Sequence, residues 1–138
     1  MHAPPSIKVF LVEDSPLIRV ALTQRLEEDP RFAVVGYAET AHAAIAALAK
    51  GLPDVMVTDL NLKQGTGYDV LDYLLHAPPL SEVKTIVFSN YASAAHRSRA
   101  RQLGAGDFFD KSMEFDEMID ELRSWADKKG FAPPIAMQ

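Results

Sequence analysis

The chain has 138 residues, of which 48% are hydrophobic and 24% charged, and this composition is that of a single globular domain. Its formal net charge of -5 argues against a general nucleic-acid binder, and the lack of cysteine excludes disulfides and thiolate metal sites. Residues 1–5 do not resemble a signal peptide and no apolar run approaches membrane-spanning length, so we expect no membrane association and a cytoplasmic location.

The first strand and the first helix have clear boundary residues. Residues 7–12 form an apolar run that predicts a strand, and the run stops at the acidic pair 13–14. Ser15 followed by Pro16 is a helix start signal, and the helical pattern ends at residues 29–30. The apolar face of this helix is predicted to consist of Leu17, Ile18, Ala21, Leu22 and Leu26.

A second strand and helix lead to the stretch on which the interpretation depends. Residues 32–37 predict a strand, and Thr40 is a candidate cap for an alanine-rich helix that ends at Gly51. Residues 54–61 then contain a short apolar run that stops at Asp59. Such a run, bounded by turn residues, is typical of a strand buried on both faces. Asp59 is therefore expected at the carboxyl end of a central strand.

The second half of the chain continues the alternation. A third helix is predicted to stop before the prolines at 78–79, and residues 85–88 predict a fourth strand. Residues 93–103 predict a fourth helix with Gly104 after its last turn, and residues 107–109 predict a short fifth strand. The apolar faces of the third and fifth helices are predicted to be Val70, Leu71, Leu74 and Leu75, and Phe115, Met118, Ile119, Leu122 and Trp125.

Strands that alternate with helices in this way predict an α/β fold, a doubly wound parallel sheet of five strands with five helices on its two faces. Crossover connections are right-handed, so the carboxyl ends of all strands lie at one edge of the sheet, where open α/β sheets bind their ligands. We expect one domain, residues 1–128, with a short tail at residues 129–138. The edge is predicted to gather Glu13, Asp14, Asp59, Ser89 and Lys111.

Several carboxylates at one site repel one another, at a cost of roughly 4 kcal/mol for a pair about 4 Å apart at an effective dielectric of about 20. A hard divalent cation relieves that repulsion, and Mg²⁺ (or Mn²⁺) suits a few carboxylates, a carbonyl and several waters. Asp14 and Asp59 are the candidate ligands. Glu13 is expected to act directly or through water, and the backbone carbonyl of Asn61 is a further candidate.

The remaining residues of the predicted pocket suit phosphoryl chemistry. Asp59 is the candidate nucleophile, because a carboxylate can form an aspartyl phosphate. Lys111 supplies a point charge that can pair with Asp59 and then with a phosphoryl group. Ser89 supplies a hydroxyl donor to a phosphoryl oxygen.

These residues are the basis of a family resemblance. From residue 7 to about residue 127, the chain resembles the CheY-like receiver domains of two-component response regulators. The resemblance depends on an acidic pair after the first strand and on one residue after each of the third, fourth and fifth strands. It also depends on a glycine in the loop that follows the third strand. These residues are Glu13, Asp14, Asp59, Gly67, Ser89 and Lys111. It implies a flavodoxin-like sheet with the strand order 2-1-3-4-5.

The resemblance also implies a function. Asp59 is expected to accept a phosphoryl group from a phosphohistidine of a histidine kinase or phosphotransfer protein, with Mg²⁺ required. Ser89 and Phe108 are expected to form the switch, whereas Asn61 and Tyr91 tune the lifetime of the phosphoryl group. The output surface would be the fourth helix, fifth strand and fifth helix. That surface would contact a downstream protein rather than DNA, in a monomer or in a phosphorylation-linked dimer.

The chain departs from the family pattern at two positions. Ser112 follows the lysine where the family usually has proline, and Lys63 stands four residues past Asp59 where proline is also frequent. Three alternatives stay open at this point. They are a pseudo-receiver that never carries phosphate, a receiver excised from a larger regulator, and a magnesium-dependent phosphatase, although the amide of Asn61 stands where such enzymes carry a second acid.

The predicted fourth helix has an unusual composition. It carries Arg97, Arg99 and Arg101 but few apolar residues that could anchor it. One interpretation is a solvated basic face. The other is a loosely packed helix that moves on activation.

Overall fold

The structure, a computed structural model, describes residues 7–77 and 82–131 and shows strands and helices in strict alternation. The strands are β1 (Ile7–Val12), β2 (Phe32–Ala38), β3 (Val55–Thr58), β4 (Lys84–Ser89) and β5 (Asp107–Asp110). The helices are α1 (Pro16–Glu27), α2 (Ala41–Lys50), α3 (Gly67–His76), α4 (Ala94–Gln102) and α5 (Phe115–Lys128). The proline pair at 78–79, the lead-in at residues 1–5 and the tail prolines at 133–134 lie outside the described residues.

All strand pairs are parallel and the order is β2-β1-β3-β4-β5, which confirms the predicted sheet. Leu11 of β1 lies opposite Val57 of β3, which in turn lies opposite Ile86 of β4. Because neighbouring strands are parallel and in register, their carboxyl ends form one edge of the sheet. The loops after β1, β3, β4 and β5 therefore emerge side by side.

The helices begin at the capping residues that the sequence indicates. The side chain of Ser15 accepts a hydrogen bond from the Ile18 amide at 3.3 Å, and that of Thr40 accepts one from the Ala43 amide at 3.0 Å. Each cap of this kind contributes about 1 kcal/mol to helix stability. Gly104 follows α4 with a φ of 92°, a left-handed conformation that glycine adopts without strain.

The sheet separates two hydrophobic cores, because successive side chains of a strand point to opposite faces. On one face, Phe10 and Met56 pack with residues of α2 and α3. On the other face, Leu11 and Val57 pack with α1 and α5. Both faces are therefore covered by helices, as the continuous apolar runs of the central strands predict.

Two predicted core positions are wrong. Leu17 is 83% exposed and Leu75 is 41% exposed, although both fit the helical spacing of their neighbours. Leu17 lies in the first turn of α1, directly after the loop at the sheet edge, and Leu75 lies in the last turn of α3. Helical periodicity identifies a face of a helix, but it does not show how far the sheet extends beneath that face.

The end of α5 is tied to the start of β2. Arg31 donates to Asp29 at 2.8 Å and to Asp127 at 2.7 Å, and it also reaches the carbonyl of Phe131 at 3.4 Å. The ring of Phe131 packs against that of Trp125. The contacts of the domain therefore continue past residue 128 to Phe131.

Within residues 7–77 and 82–131, no helix combines the length and apolarity needed to cross a membrane.

Candidate functional site

Three charged side chains extend from three different strand ends. Glu13 follows β1, Asp59 follows β3 and Lys111 follows β5. The backbone of each residue is fixed to the neighbouring strand. The Asp59 amide donates to the carbonyl of Val12 at 2.9 Å, and the Lys111 amide donates to that of Ser89 at 3.1 Å. The parallel ladder therefore determines where these side chains begin.

The ammonium of Lys111 joins the two carboxylates. Its Nζ lies 2.7 Å from Oε1 of Glu13 and 2.7 Å from Oδ2 of Asp59. The three side chains are only 10%, 3% and 9% exposed, respectively. This ion-paired triad is the convergence that the strand ends predict. Charges paired in so little water interact more strongly than pairs at the surface.

The other carboxylate oxygens bind backbone amides. Oε2 of Glu13 accepts a hydrogen bond from the Ser15 amide at 3.1 Å. Oδ1 of Asp59 accepts one from the Leu60 amide at 2.7 Å and a longer one from the Asn61 amide at 3.4 Å. Both side chains are therefore held in fixed orientations before any ligand binds.

Asp14 completes an acidic group at the same edge. One carboxylate oxygen from each of Glu13, Asp14 and Asp59 lies within 4.8 Å of the others. Lys111 supplies a single positive charge against these three carboxylates. The pocket therefore has an excess of negative charge and several oxygen donors, and this donor set fits a hard divalent cation such as Mg²⁺.

Burial and ion pairing act in opposite directions on this group. Burial raises the pKa of Glu13, although the hydrogen bond and the charge of Lys111 partly offset that effect. Burial also disfavours the Lys111 ammonium, but its hydrogen bonds to Asp59 and Glu13 outweigh burial and raise the pKa of Lys111. Lys111 is therefore held in its charged form.

Gly67, the loop glycine of the predicted motif, lies against the backbone of the Asp59 strand end. A Cβ at this position would lie 2.1 Å from the carbonyl oxygen of Asp59. The Gly67 amide donates to the carbonyl of Leu60 at 2.9 Å, which holds the start of α3 beside the site. The chain needs glycine here because of this close approach.

The loop at Gly67 also contains a feature that the sequence analysis did not identify. Thr66 and Asp69 form a reciprocal capping box at the start of α3. Asn61 forms an antiparallel bridge with Thr66, so the loop closes back on itself beside Asp59. The threonine followed three residues later by an acid is the sequence signal for this cap.

The predicted switch residues lie on the adjacent strands. Ser89 is fully buried at the end of β4, and its Oγ accepts a hydrogen bond from the Tyr91 amide at 3.1 Å. Phe108 is half-buried on β5. Tyr91 is exposed, and its ring packs against that of His96 on α4.

The two departures from the family pattern have local explanations. Oδ1 of Asp110 accepts hydrogen bonds from the amide and the hydroxyl of Ser112 at 2.9 and 2.7 Å, and these bonds order the turn where proline is usual. The Lys63 amide donates to the carbonyl of Glu39 at 3.1 Å, and its ammonium lies 3.4 Å from the Glu39 carboxylate. The same carboxylate pairs with Arg19 of α1 at 3.0 Å.

The arginines of α4 are not simply solvated. Arg97 lies 4.9 Å from the centroid of the Phe108 ring, and Arg99 lies 4.1 Å from that of Tyr68. Both distances are in the range of cation–π contacts. Arg101 is exposed and agrees with the solvated interpretation. The partners of these arginines could not be predicted from the sequence, because pairing between distant segments leaves no mark in local periodicity.

Comparison with known proteins identifies the family of the chain. The family model described as "Response regulator receiver domain" matches residues 9–123. A protein-glutamate methylesterase/protein-glutamine glutaminase of Halalkalibacterium halodurans is 33% identical over 138 residues, covering 96% of this chain and 38% of that protein. The transcriptional regulatory protein YvfU of Bacillus subtilis is 28% identical, covering 94% of this chain and 64% of that protein. Both relatives are therefore considerably longer than the segment matched.

Solved structures show the same fold. The signal receiver domain of NarL from Mycobacterium tuberculosis aligns with a TM-score of 0.78 at 25% identity, covering 92% of this chain and 99% of that chain. The response regulator domain of Thermotoga maritima CheB aligns with a TM-score of 0.73 at 26% identity, covering 88% and 94%. The chain therefore belongs to the response regulator receiver domains, which are signalling domains of two-component systems rather than a family of catalytic enzymes.

Proposed function

We propose that this receiver accepts a phosphoryl group on Asp59 from a phosphohistidine of a histidine kinase or phosphotransfer protein. The single observation that supports the proposal best is the position of Lys111, whose ammonium lies 2.7 Å from both Asp59 and Glu13 in a largely buried pocket. Lys111 is the counter-charge of two buried acids, and from the same position its ammonium can reach a phosphoryl group on Asp59. A lysine that stabilises a phosphoryl group must lie at this place.

The proposed transfer is a nucleophilic displacement. A carboxylate oxygen of Asp59 forms a bond to phosphorus while the bond from phosphorus to the donor imidazole nitrogen breaks. The imidazole keeps the electron pair of that bond and takes up a proton. Lys111 then pairs with the phosphoryl oxygens, and Ser89 is the candidate hydroxyl donor to one of them.

Asp14 and Asp59 are the proposed ligands of Mg²⁺, or of Mn²⁺ in its place. Glu13 would contribute directly or through water, and Asn61 through its backbone carbonyl. When bound, the cation supplies neutralising charge for the incoming phosphoryl group. The grouping of three carboxylates within 4.8 Å of one another supports this assignment.

The proposed consequence of phosphorylation is a change on the face formed by α4, β5 and α5. Ser89 and Phe108 are the proposed switch, and Asn61 and Tyr91 the proposed determinants of phosphoryl lifetime. The altered face would contact a downstream protein in the cytoplasm, the usual location for the family, through a monomer or a phosphorylation-linked dimer. We propose residues 1–128 as the unit that carries this activity, with the contacts of the fold extending to Phe131.

Two alternatives are weaker. A pseudo-receiver that does not carry phosphate has no need of the acidic group and the lysine, and this chain retains both. A magnesium-dependent phosphatase would need a second acid at the position of Asn61. The amide at Asn61 offers no general acid for a leaving group.

Intact-mass measurement after incubation with acetyl phosphate and MgCl₂ tests the proposal. We expect one added phosphoryl group on the wild type and none on Asp59→Asn or in the presence of a chelator of divalent cations. Wild-type protein that stays unlabelled would favour the pseudo-receiver.

A further inference from the structure

The guanidinium of Arg97 connects three separate segments of the chain. Its Nε donates to the carbonyl of Ala92 at 3.0 Å, and its Nη1 donates to that of Phe108 at 3.2 Å. Its Nη2 donates to Oε1 of Glu114 at 3.2 Å. These groups belong to the β4–α4 loop, to β5 and to the β5–α5 loop. The rigid, forked geometry of arginine allows one side chain to hold all three.

Glu114 extends this connection to the lysine of the candidate site. The oxygen that accepts from Arg97 also accepts from the Asp110 amide at 2.9 Å, and the Glu114 amide donates back to the carbonyl of Asp110 at 2.8 Å. Asp110 directly precedes Lys111. The turn that carries Lys111 is therefore fixed from outside the pocket by Glu114, and through it by Arg97.

The same helix has few other anchors. Among the residues of α4, only Ala100 is buried. The helix is instead held by side-chain contacts, with Arg97 on the β5 side and Arg99 over the ring of Tyr68 on the α3 side. Ala100 holds the helix against the core, and a displacement of the Arg97 guanidinium would alter its hydrogen bonds to Phe108 and Glu114 beside the Lys111 turn.

We propose that Arg97 and Glu114 are positioning residues for Lys111. Loss of either side chain would then change the reactivity of Asp59 without altering a residue of the pocket. The inference rests on the proposed phosphoacceptor function for its effect on reactivity. The coupling between Arg97 and Lys111 does not depend on that function and can be measured separately.

An ordinary surface ion pair would behave differently. Arg97 and Glu114 are each 34% exposed, and isolated pairs at such positions contribute little to stability. The pair differs from that case because both members also bind backbone groups of other segments. A merely structural pair would affect the free energy of unfolding but would leave the Lys111 ammonium unchanged.

The first experiment is selective ¹H–¹⁵N NMR of the lysine ammonium groups without phosphate. The Lys111 ammonium is buried and bound to two carboxylates, so its protons should exchange slowly enough to give a signal, which Lys111→Arg identifies by its loss. We expect Arg97→Gln and Glu114→Gln to broaden or shift this signal. Arg101→Gln, which removes the same charge from an exposed site on the same helix, should leave it unchanged. The ammonium of Lys84, paired with Asp107 at 2.6 Å, is an internal reference.

The second experiment measures the rate of acetyl phosphate labelling with saturating MgCl₂. We expect Arg97→Gln and Glu114→Gln to slow labelling about fivefold or more, since small displacements of a reacting group cost large factors in rate. The double variant should be no slower than the slower single variant, because both substitutions break one connection. The apparent affinity for Mg²⁺ should not change.

The outcomes separate the two proposals. An unchanged Lys111 signal in both variants overturns the positioning role, whatever the labelling shows. A changed signal together with an unlabelled wild type supports the coupling and contradicts the proposed function. Equal slowing by Arg101→Gln would show a general charge effect and would also overturn the positioning role.

Discussion

The Nζ of Lys111 lies 2.7 Å from an oxygen of Asp59, although the two residues come from different strand ends. Neither side chain has room to turn toward bulk water, since both are about nine-tenths buried. The same ammonium also pairs with Glu13 at 2.7 Å. The stability of this part of the molecule therefore depends on a group that is also proposed to act in chemistry.

Replacing Lys111 with methionine should destabilise the protein. Glu13 and Asp59 would stay buried without a counter-charge, and removing one partner of a buried ion pair costs about 3–5 kcal/mol. We expect the free energy of unfolding, measured in urea without divalent cations, to fall by about 3 kcal/mol. Lys128→Met, at an exposed position at the end of α5, is the control. Equal stability of Lys111→Met and the wild type would contradict this account.

The substitution Asp14→Asn should change the stability of the fold in opposite directions with and without Mg²⁺. Without the cation, Asp14→Asn reduces repulsion within the acidic group and should raise the free energy of unfolding by about 1 kcal/mol. A cation that binds only the folded state stabilises it in proportion to its affinity. We expect MgCl₂ to stabilise the wild type strongly and Asp14→Asn hardly at all in thermal unfolding. Identical responses to MgCl₂ would exclude Asp14 as a ligand.

Gly67 and Gly51 form a matched pair for testing close packing. A Cβ at Gly67 would lie 2.1 Å from the Asp59 carbonyl oxygen, whereas a Cβ at Gly51 meets nothing within 4 Å. Gly67→Ala should lower the free energy of unfolding by about 3 kcal/mol, because the strand end must shift. Gly51→Ala should change it by less than about 1 kcal/mol. Urea titrations of the two variants test the contrast, and equal effects would contradict it.

Asp29 should contribute to the acid sensitivity of the fold. Burial works against its carboxylate, but the hydrogen bonds and charge of Arg31 outweigh burial and lower the pKa of Asp29 below its usual value of 3.8. A lowered pKa in the folded state means that this stabilisation is complete above the unfolded-state pKa. It is lost as the pH falls through the folded-state value.

We therefore expect Asp29→Asn to be less stable than the wild type by about 2 kcal/mol at pH 7, since it loses charged hydrogen bonds. The difference should shrink below about pH 4, where the wild type also loses its carboxylate. Urea titrations between pH 7 and pH 3 measure both effects. Asp120→Asn, at an exposed position on α5, should show no such convergence. A difference that stays constant across this range would contradict the interpretation.

Hydrogen exchange should distinguish α4 from α5. The only buried residue of α4 is Ala100, whereas α5 buries Met118, Ile119, Leu122 and Ala126. Local opening is easier where few apolar contacts are lost, so α4 amides should exchange faster. Phosphorylation with acetyl phosphate should change exchange in α4, and Asp59→Asn treated in the same way should not respond. Unchanged exchange in the phosphorylated wild type would mean that α4 does not move.

Much of the fold could be predicted because its determinants are local. Apolar runs mark β1 and β3, and capping residues such as Ser15 and Thr40 mark helix starts. The strand order came from the family resemblance, since periodicity contains no information on which strands are neighbours. The convergence of Glu13, Asp59 and Lys111 followed from one general rule, that parallel strands end at a common edge.

What could not be predicted depends on contacts between distant segments. Arg97 and Arg31 look like ordinary charged residues in the sequence, yet each binds groups in a distant segment, Arg97 in β5 and the loop after it and Arg31 at the end of α5. Their partners become adjacent only after the sheet has formed. The prediction that Leu17 is buried was wrong for a related reason, because its exposure depends on where the underlying sheet ends.

Glu13 and Lys111 stand near opposite ends of the described chain, and only the assembled sheet brings them together. A nascent polypeptide that has not yet emerged from the ribosome beyond Lys111 has no such triad, and neither does an unfolded full-length chain. Chemistry that needs all three charges is therefore confined to completed, folded molecules. The fraction of molecules phosphorylated on Asp59 would then measure the fraction of a sample that is folded.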